Sequence, residues 1–194
     1  PSTALVAVCV LYKVGSRDEQ DTKTGIAHLF EHLMFSNNGP GIDFDSILQN
    51  AGGECNAFTT TDTTQYYSVA PSNQLELLLA LESNRISGFH VSQKDFKTQQ
   101  RVVIEEFSEM YLNNPYGDFN HILMQMAYKT HPYRWPVIGF DQQQLKNLKL
   151  EDAEQFYHTF YTPSNAVLVI HGNFNVDETK KMIQTYFGKI NAGI

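Results

Sequence analysis

The residues His28, Glu31 and His32 offer the clearest chemistry in the sequence, within the segment His-Leu-Phe-Glu-His-Leu-Met-Phe at positions 28–35. Two histidines four positions apart lie on one face of a helix, where both imidazoles can bind a single metal ion. A carboxylate three positions after the first histidine lies close to the same face and can act as a base toward a water molecule that the ion activates. The order His-x-x-Glu-His, the inverse of the commoner His-Glu-x-x-His, is therefore typical of metal-dependent hydrolysis.

The alternative is a helix whose histidines bind nothing, since histidine and glutamate are both common on helices. The motif is surrounded by Phe30, Leu33 and Phe35, so the segment is apolar enough to pack against a core. Burying two imidazoles without partners is costly. The apolar surroundings therefore favour the metal-binding interpretation.

A catalytic zinc ion usually has three protein ligands, so a third ligand must come from another element. A helix that we predict to begin after Ser92 and to end near Leu112 carries three candidate acids, Glu105, Glu106 and Glu109. The apolar residues of this helix recur on one stripe, namely Phe96, Val103, Phe107 and Met110. Glu106 falls on that stripe, whereas Glu105 and Glu109 align on a more polar flank, roughly 100° away around the helix. We favour Glu106, although the alternative for all three acids is a solvated acidic face.

The elements that must position these residues follow from the spacing of apolar residues along the chain. Two buried strands are predicted at 5–12 and 166–172, and a β-hairpin with strands 54–60 and 64–70 is predicted around a Thr-Asp-Thr turn. The motif helix at 25–36 should end at Asn-Asn-Gly-Pro-Gly, 37–41. Further helices are predicted around 44–48 and at 72–87, 92–112, 117–128, 150–160 and 176–187, with Ser72 and Ser92 as N-caps. Strands layered with this many helices indicate an α+β or α/β sandwich.

The composition sets the class of protein. The chain has 194 residues, 42% of them apolar, which is enough for one sizeable domain. Lys plus Arg total 14 and Asp plus Glu total 21, giving a formal charge of -7, which argues against a nucleic-acid partner or an anionic membrane surface. No stretch approaches the length of a membrane span. Cys9 and Cys55 have no metal-binding spacing, and each is predicted to pack as a small apolar residue.

Several separated motifs resemble the N-terminal catalytic domain of the pitrilysin-type zinc metallopeptidases, a family that includes insulin-degrading enzyme, the mitochondrial processing peptidase and bacterial homologues. The first two are Val-Gly-Ser-Arg-Asp-Glu at 14–19 and Thr-Gly-Ile-Ala-His-Leu-Phe-Glu-His-Leu-Met-Phe at 24–35. The others are Gly-Gly at 52–53 followed by Asn-Ala-Phe-Thr at 56–59, Arg-Val-Val-Ile-Glu-Glu at 101–106, His-Pro-Tyr at 131–133, Tyr-Thr-Pro-Ser-Asn-Ala at 161–166 and His-Gly-Asn-Phe at 171–174. Together they extend over nearly the whole chain.

The resemblance implies an α+β domain, a two-layer sandwich of helices on a mixed or antiparallel sheet, that hydrolyses peptide bonds with Zn²⁺. It implies His28, His32 and Glu106 as the zinc ligands and Glu31 as the catalytic base. Gln99 stands where family members often carry an acid, seven residues before the third ligand. Zinc binding is still expected with glutamine at this position. The influence that the acid would have on the properties of the bound zinc is not expected.

The resemblance further implies that the strand at 54–60 binds a peptide substrate by strand addition, with Asn56, Ala57 and Phe58 beside the substrate backbone. Backbone hydrogen bonds of this kind hold a peptide without demanding a particular sequence. Without the resemblance, Asn56 would instead be interpreted as an amide that stabilises a local turn.

The resemblance also implies that residues 1–194 form one catalytic domain that is incomplete at both ends, without the family's opening strand and closing strands. Family members enclose substrate between two similar halves, so we expect a second homologous domain or subunit as partner and little hydrolysis by this chain alone. Two alternatives are an inactive subunit that recruits substrate or supports a partner, and the metal-dependent lyase that cleaves S-ribosylhomocysteine, whose other features fit less well. The complete set of His28, Glu31, His32 and Glu106 favours the peptidase. The compartment stays open, with the bacterial periplasm or cytoplasm favoured.

Overall fold

The computed structural model describes residues 3–36 and 43–193, in which four strands form one antiparallel sheet with the order β2-β3-β1-β4. The strands are β1 (Leu5–Tyr12), β2 (Glu54–Thr59), β3 (Thr64–Pro71) and β4 (Ala166–Gly172). Val10 of β1 lies opposite Tyr66 of β3 and Leu168 of β4. The α+β fold class and the predicted hairpin are confirmed. The helix break predicted at 37–41 lies outside the described residues.

The described residues also contain eight α-helices. They are α1 (Ile26–Phe35), α2 (Phe44–Asn50), α3 (Leu75–Ser87), α4 (Gln93–Phe107), α5 (Phe119–Ala127), α6 (Gln142–Asn147), α7 (Leu150–Phe160) and α8 (Val176–Phe187). None of these helices has both the length and the apolar character that a membrane crossing requires.

The apolar core lies on one face of the sheet, as a two-layer sandwich requires. Alternate residues of β1 point to that face and are buried, namely Val6, Val8, Val10 and Tyr12. Residues on the opposite face are more accessible, and Val167 and Val169 of the edge strand β4 are 41% and 49% exposed. The prediction of two buried strands is therefore wrong in part, because the helices of the described residues cover one face of the sheet.

The two predicted N-caps have different outcomes. The Ser92 hydroxyl accepts a hydrogen bond from the backbone N–H of Asp95 at 3.1 Å, so the predicted cap of α4 is confirmed. Ser72 does not cap a helix, because Ser72–Gln74 form a 3₁₀ turn and α3 begins after it. The short helix α6 is absent from the sequence predictions, since six residues show too little apolar periodicity to identify a helix.

The end of α4 differs from the prediction in a way that affects the site. The α-helix ends at Phe107, and a turn of π-helix follows at Ser108–Leu112. A π-turn changes the angular step between residues, so Met110 leaves the stripe that Val103 and Phe107 share. Met110 is 53% exposed, and its predicted place on the packed stripe is wrong.

Candidate metal centre and its substrate edge

The helix α1 has one face in the core and one face that carries the motif. Leu29, Phe30 and Leu33 are completely buried, and the Phe30 ring lies 4.3 Å from the Tyr161 ring between centroids. Helical periodicity places His28, Glu31 and His32 away from this apolar side. The two imidazole rings lie 4.9 Å apart, one helical turn from each other. Packing of the apolar face therefore fixes the rotation of the helix and, with it, the direction of the motif side chains.

Two residues fix the N-terminus of α1. Gly25, the N-cap, has a φ of 87°, and a Cβ at this position would lie 2.6 Å from the carbonyl oxygen of Ile138. The buried carboxylate of Glu19 accepts hydrogen bonds from the backbone N–H groups of Gly25 at 3.0 Å and Ala27 at 2.8 Å. Burial raises the pKa of Glu19 well above its usual value, and the two N–H groups oppose that shift. Sequence reasoning used Glu19 as part of a motif but missed this role.

Glu106 of α4 is the acid that reaches the histidine pair. Its Oε2 lies 3.9 Å from Nε2 of His28 and 3.5 Å from Nε2 of His32. Among the described residues, these three side chains are the cluster that could hold a metal ion, with ligand atoms within 4.8 Å of one another. Glu105 and Glu109 are exposed on the flank of the helix. The structure thus brings Glu106, and neither of the other two acids, to the histidines.

The geometry of the three side chains suits a zinc ion. Both distances to Glu106 exceed the usual length of a hydrogen bond, about 2.7–3.2 Å, so the groups converge without bonding directly to one another. With zinc–ligand bonds of about 2.0–2.1 Å, the ligand atoms of a tetrahedral site lie about 3.3–3.4 Å apart, slightly less than the distances here. Two nitrogens and one carboxylate oxygen are also a donor set that zinc accepts in hydrolases. Burial and the neighbouring His32 lower the pKa of His28 to about 4, so its imidazole is neutral at pH 7.

Glu31 lies beside this cluster and is held by the hairpin. Its Oε2 accepts a hydrogen bond from the hydroxyl of Thr59, the last residue of β2, at 2.5 Å. Burial raises the pKa of Glu31 above its usual value, and the hydrogen bond from Thr59 opposes that shift. Glu31 and His28 line one surface depression together with apolar side chains, among them Met110 and Val137. Thr59 was named in the sequence only as part of a motif, and no local pattern predicts its contact with a residue 28 positions away.

The strand β2 forms one edge of the described sheet, beside the metal cluster. Ala57 pairs with Tyr66 on the core side of the sheet, whereas Asn56 and Phe58 point to the other side, and Phe58 is 44% exposed. Ala57 and Phe58 line the same depression as His28. The side-chain oxygen of Asn56 accepts a hydrogen bond from the N–H of Ala57 at 2.8 Å, which is the local contact that its alternative interpretation describes. Its role toward a substrate stays a prediction.

The hairpin turn after β2 is anchored to segments on both sides of the metal helix. Asp62, at the tip of the turn, accepts hydrogen bonds from the guanidinium of Arg17 at 2.7 Å and from the hydroxyl of Tyr133 at 2.7 Å. Arg17 and Tyr133 belong to two of the separated motifs in the sequence. These contacts join the turn that follows β2 to the segments before and after α1 in the chain.

The remaining histidines lie away from the cluster. His90, His131, His158 and His171 are exposed, and the ring of His121 packs edge-on against Phe140 at 5.2 Å between centroids. Cys9 and Cys55 are partly buried free thiols. Gln99 is partly buried on α4, two turns before Glu106.

Two family models match this chain in succession. Residues 1–139 match the insulinase family (peptidase family M16), and residues 147–193 match the peptidase M16 inactive domain. β4 lies in the second stretch and pairs with β1 in the first, so both stretches contribute to one sheet.

Related proteins agree with these matches. A zinc protease of Helicobacter pylori, PqqE, is 34% identical over 187 residues, which are 95% of this chain and 42% of that protein. The mitochondrial-processing peptidase subunit beta of Caenorhabditis elegans is 26% identical over 196 residues, 99% of this chain and 42% of that protein. The chain thus spans less than half the length of these relatives.

Solved structures share the fold. The crystal structure of a protease from Helicobacter pylori has a TM-score of 0.93 and 32% identity, and the match covers 99% of this chain and 46% of that one. The crystal structure of pitrilysin has a TM-score of 0.83 at 19% identity, covering 97% of this chain and 21% of that one, which is a likeness of fold alone.

Proposed function

The chain belongs to the insulinase family, peptidase family M16, and from that premise we propose that it is a zinc-dependent endopeptidase domain for peptides or unfolded polypeptides. The observation that carries the proposal is the convergence of His28, His32 and Glu106 beside Glu31, next to an edge strand. The name zinc protease, given to several relatives, supports both the metal and the reaction.

Each residue of the site has a role in this proposal. His28, His32 and Glu106 hold Zn²⁺, and a bound zinc ion supplies Lewis-acid activation of water and of a carbonyl oxygen. Glu31 accepts the proton of the attacking water and transfers it to the amine that leaves. The place of Glu31 supports this role, since its carboxylate lines the same surface depression as the proposed ligand His28 and keeps one oxygen outside the bond from Thr59.

The substrate is proposed to bind as an additional strand on β2. The N–H of Thr60 donates to the carbonyl of Thr63 across the hairpin at 2.8 Å. Because backbone groups alternate in direction along a strand, the N–H groups of Cys55, Ala57 and Thr59 point toward the free edge. A substrate carbonyl that bonds to Ala57 must displace the side chain of Asn56, which then becomes available to the substrate. Phe58 completes the proposed contact surface.

A second homologous domain or subunit is the proposed partner. The chain covers 42% of the length of PqqE and 46% of the protease structure from Helicobacter pylori, and other structural relatives include a protease solved as its first half. The carboxylate side chain of Glu106 is 37% exposed, so the cluster lies open on the surface of this chain. We therefore propose that residues 1–194 are a catalytic domain that binds zinc alone but needs the partner to enclose and hydrolyse substrate.

The test compares the chain alone with the natural polypeptide that contains it. We expect one zinc per chain by elemental analysis, and hydrolysis of fluorescein-labelled casein by the natural polypeptide but little by the chain. Glu31→Gln should keep the zinc and lower kcat by about 10²- to 10⁴-fold, the usual contribution of a general base. Glu151→Gln, which removes the same charge from an exposed position on α7, is the matched control and should stay active.

Three results would contradict the proposal. Absence of zinc from the purified protein would contradict the assignment of zinc as the cofactor. Unchanged hydrolysis by Glu31→Gln would contradict the assignment of Glu31 as the base. A natural polypeptide that binds zinc and an unfolded protein but hydrolyses nothing would instead support the alternative, a substrate-recruiting or structural subunit.

A further inference from the structure

Thr59 connects the edge strand directly to the motif helix. It is the last residue of β2, and its hydroxyl donates to Oε2 of Glu31 at 2.5 Å. Its backbone N–H belongs to the set of N–H groups that point toward the free edge. The carboxylate of Glu31 is therefore held at the margin of the strand on which a substrate would add.

The position of Thr59 is itself well defined. Thr59 pairs with Thr64 of β3, and the hydroxyl of Thr64 donates to the carbonyl oxygen of Val14 at 3.0 Å in the core. The hairpin turn that follows is tied by Asp62 to Arg17 and Tyr133. Thr59 thus presents its hydroxyl from a rigid element, and a group held by a rigid element keeps its geometry better than one on a loop.

A glutamate side chain without such a contact populates several staggered rotamers about χ1 and χ2, and its terminal torsion is broad as well. The hydrogen bond from Thr59 occupies one carboxylate oxygen and leaves the other as a proton acceptor. It joins a neutral donor to a carboxylate, a pairing stronger than one between neutral groups.

We propose that Thr59 is a positioning residue: its hydroxyl fixes the Glu31 carboxylate beside the His28–His32–Glu106 cluster, so that the edge strand that receives substrate also aligns the base. The inference rests on the proposed function for its effect on hydrolysis. The alignment itself is a property of the chain and can be measured separately.

The kinetic test uses the natural polypeptide that contains the chain, loaded with zinc, with fluorescein-labelled casein as substrate. Thr59→Val keeps the shape and β-branching but removes the hydroxyl, and we expect kcat to fall about tenfold to a hundredfold with KM changed less than about threefold. Thr59→Ser should restore kcat to within about threefold of the wild type. In a Glu31→Gln background, Thr59→Val should cause no further loss, because the two residues act as one unit.

The matched control is Thr63→Val in the same hairpin. The Thr63 hydroxyl contacts only the hydroxyl of Thr60 among the described contacts, at 3.2 Å, so its removal should leave kcat unchanged. Zinc content is measured in every variant, since a loss of metal would mean that Thr59 supports the fold of the site rather than the base. That result would overturn the proposal, as would a full additional loss in the Glu31→Gln background.

A structural readout separates this inference from the proposed function. In crystal structures of the zinc-loaded wild type and Thr59→Val, we expect the Glu31 carboxylate to leave its wild-type position when the hydroxyl is absent. An unchanged position in Thr59→Val overturns the positioning role even if hydrolysis is strong. If the wild type hydrolyses nothing, the proposed function fails, and the displacement of Glu31 still decides whether Thr59 positions it.

Discussion

Removal of Glu106 tests the assignment of the third zinc ligand most directly. Glu106→Gln replaces the carboxylate that lies 3.5 Å and 3.9 Å from the two imidazoles by a neutral amide of the same shape. Its side chain is 37% exposed, so the substitution should change the stability of the zinc-free protein by no more than about 0.5 kcal/mol. Glu105→Gln removes the same charge from the neighbouring, exposed position and is the matched control.

The expected magnitude follows from the linkage between binding and unfolding. At a free zinc concentration of about 100 times Kd, binding stabilises the folded state by about 2.7 kcal/mol. For a domain of this size, each kcal/mol raises Tm by about 2–4 °C, so zinc should raise the wild-type Tm by about 5–11 °C. Loss of even an outer partner of a metal site weakens affinity by about 10- to 100-fold, and we expect at least the upper value for a direct ligand. At the same zinc concentration, Glu106→Gln would then gain only about 0.4 kcal/mol, or about 1–2 °C.

The assay is thermal unfolding with and without zinc, at one fixed free zinc concentration, together with isothermal titration of zinc into each metal-free variant. The wild type and Glu105→Gln should show the same zinc-dependent rise in Tm, and Glu106→Gln should show about a seventh of it. An equal rise in all three proteins would refute the ligand assignment. A loss confined to Glu105→Gln would show that the helix α4 presents a different acid to the histidines.

Two further predictions concern the N-terminus of α1. Gly25→Ala should lower the free energy of unfolding in urea by roughly 2–5 kcal/mol, from left-handed backbone strain plus overpacking against Ile138. The control is Gly52→Ala, at a φ of 73° with its nearest neighbour atom 3.8 Å away, which should cost only about 1–2 kcal/mol. Equal losses in the two variants would contradict the clash at Gly25. The pKa of Glu19 is raised in the folded state, so its contribution to stability is complete below about pH 4 and is lost as the pH rises through the folded pKa. The unfolding free energy of the wild type minus that of Glu19→Gln should therefore fall as the pH rises above about 4.3, and a flat difference would show that the carboxyl titrates normally.

The part of the site that sequence reasoning could find is the part that depends on local spacing. His28 and His32 come together because residues four apart share a helical face, and no tertiary information is needed for that. A regular α-helix favours Glu106 and also places Met110 on the packed stripe, but the π-turn after Phe107 moves Met110 off that stripe. The structure places Glu106 beside the two imidazoles, and its role as a zinc ligand stays a prediction.

The parts that could not be predicted depend on contacts between distant segments. The bond from Thr59 to Glu31 joins a strand end to a helix, and its existence depends on the register of the hairpin against α1. The sequence also does not predict that β1 is buried on one face only or that one face of β4 is exposed. A continuous apolar run does not reveal which side of a strand the helices cover.

The residues of the candidate site differ in how firmly the fold holds them, the two histidines more firmly than Glu106. His28 and His32 are only 19% and 20% exposed and stand on a helix whose other face is packed in the core, so their relative position is fixed before any ligand arrives. Glu106 comes from a second helix and is 37% exposed, close to the point where α4 changes into a π-turn. Because the Glu106 side chain is more exposed than the two imidazoles, we expect the larger share of the ordering cost of the site to fall on the carboxylate. On the proposed function, a zinc ion would bind to two imidazoles that α1 already holds together, and Glu106 would complete the site. Substitution of Glu106 should therefore weaken zinc binding without disturbing the fold, whereas disturbance of the core under α1 should affect both.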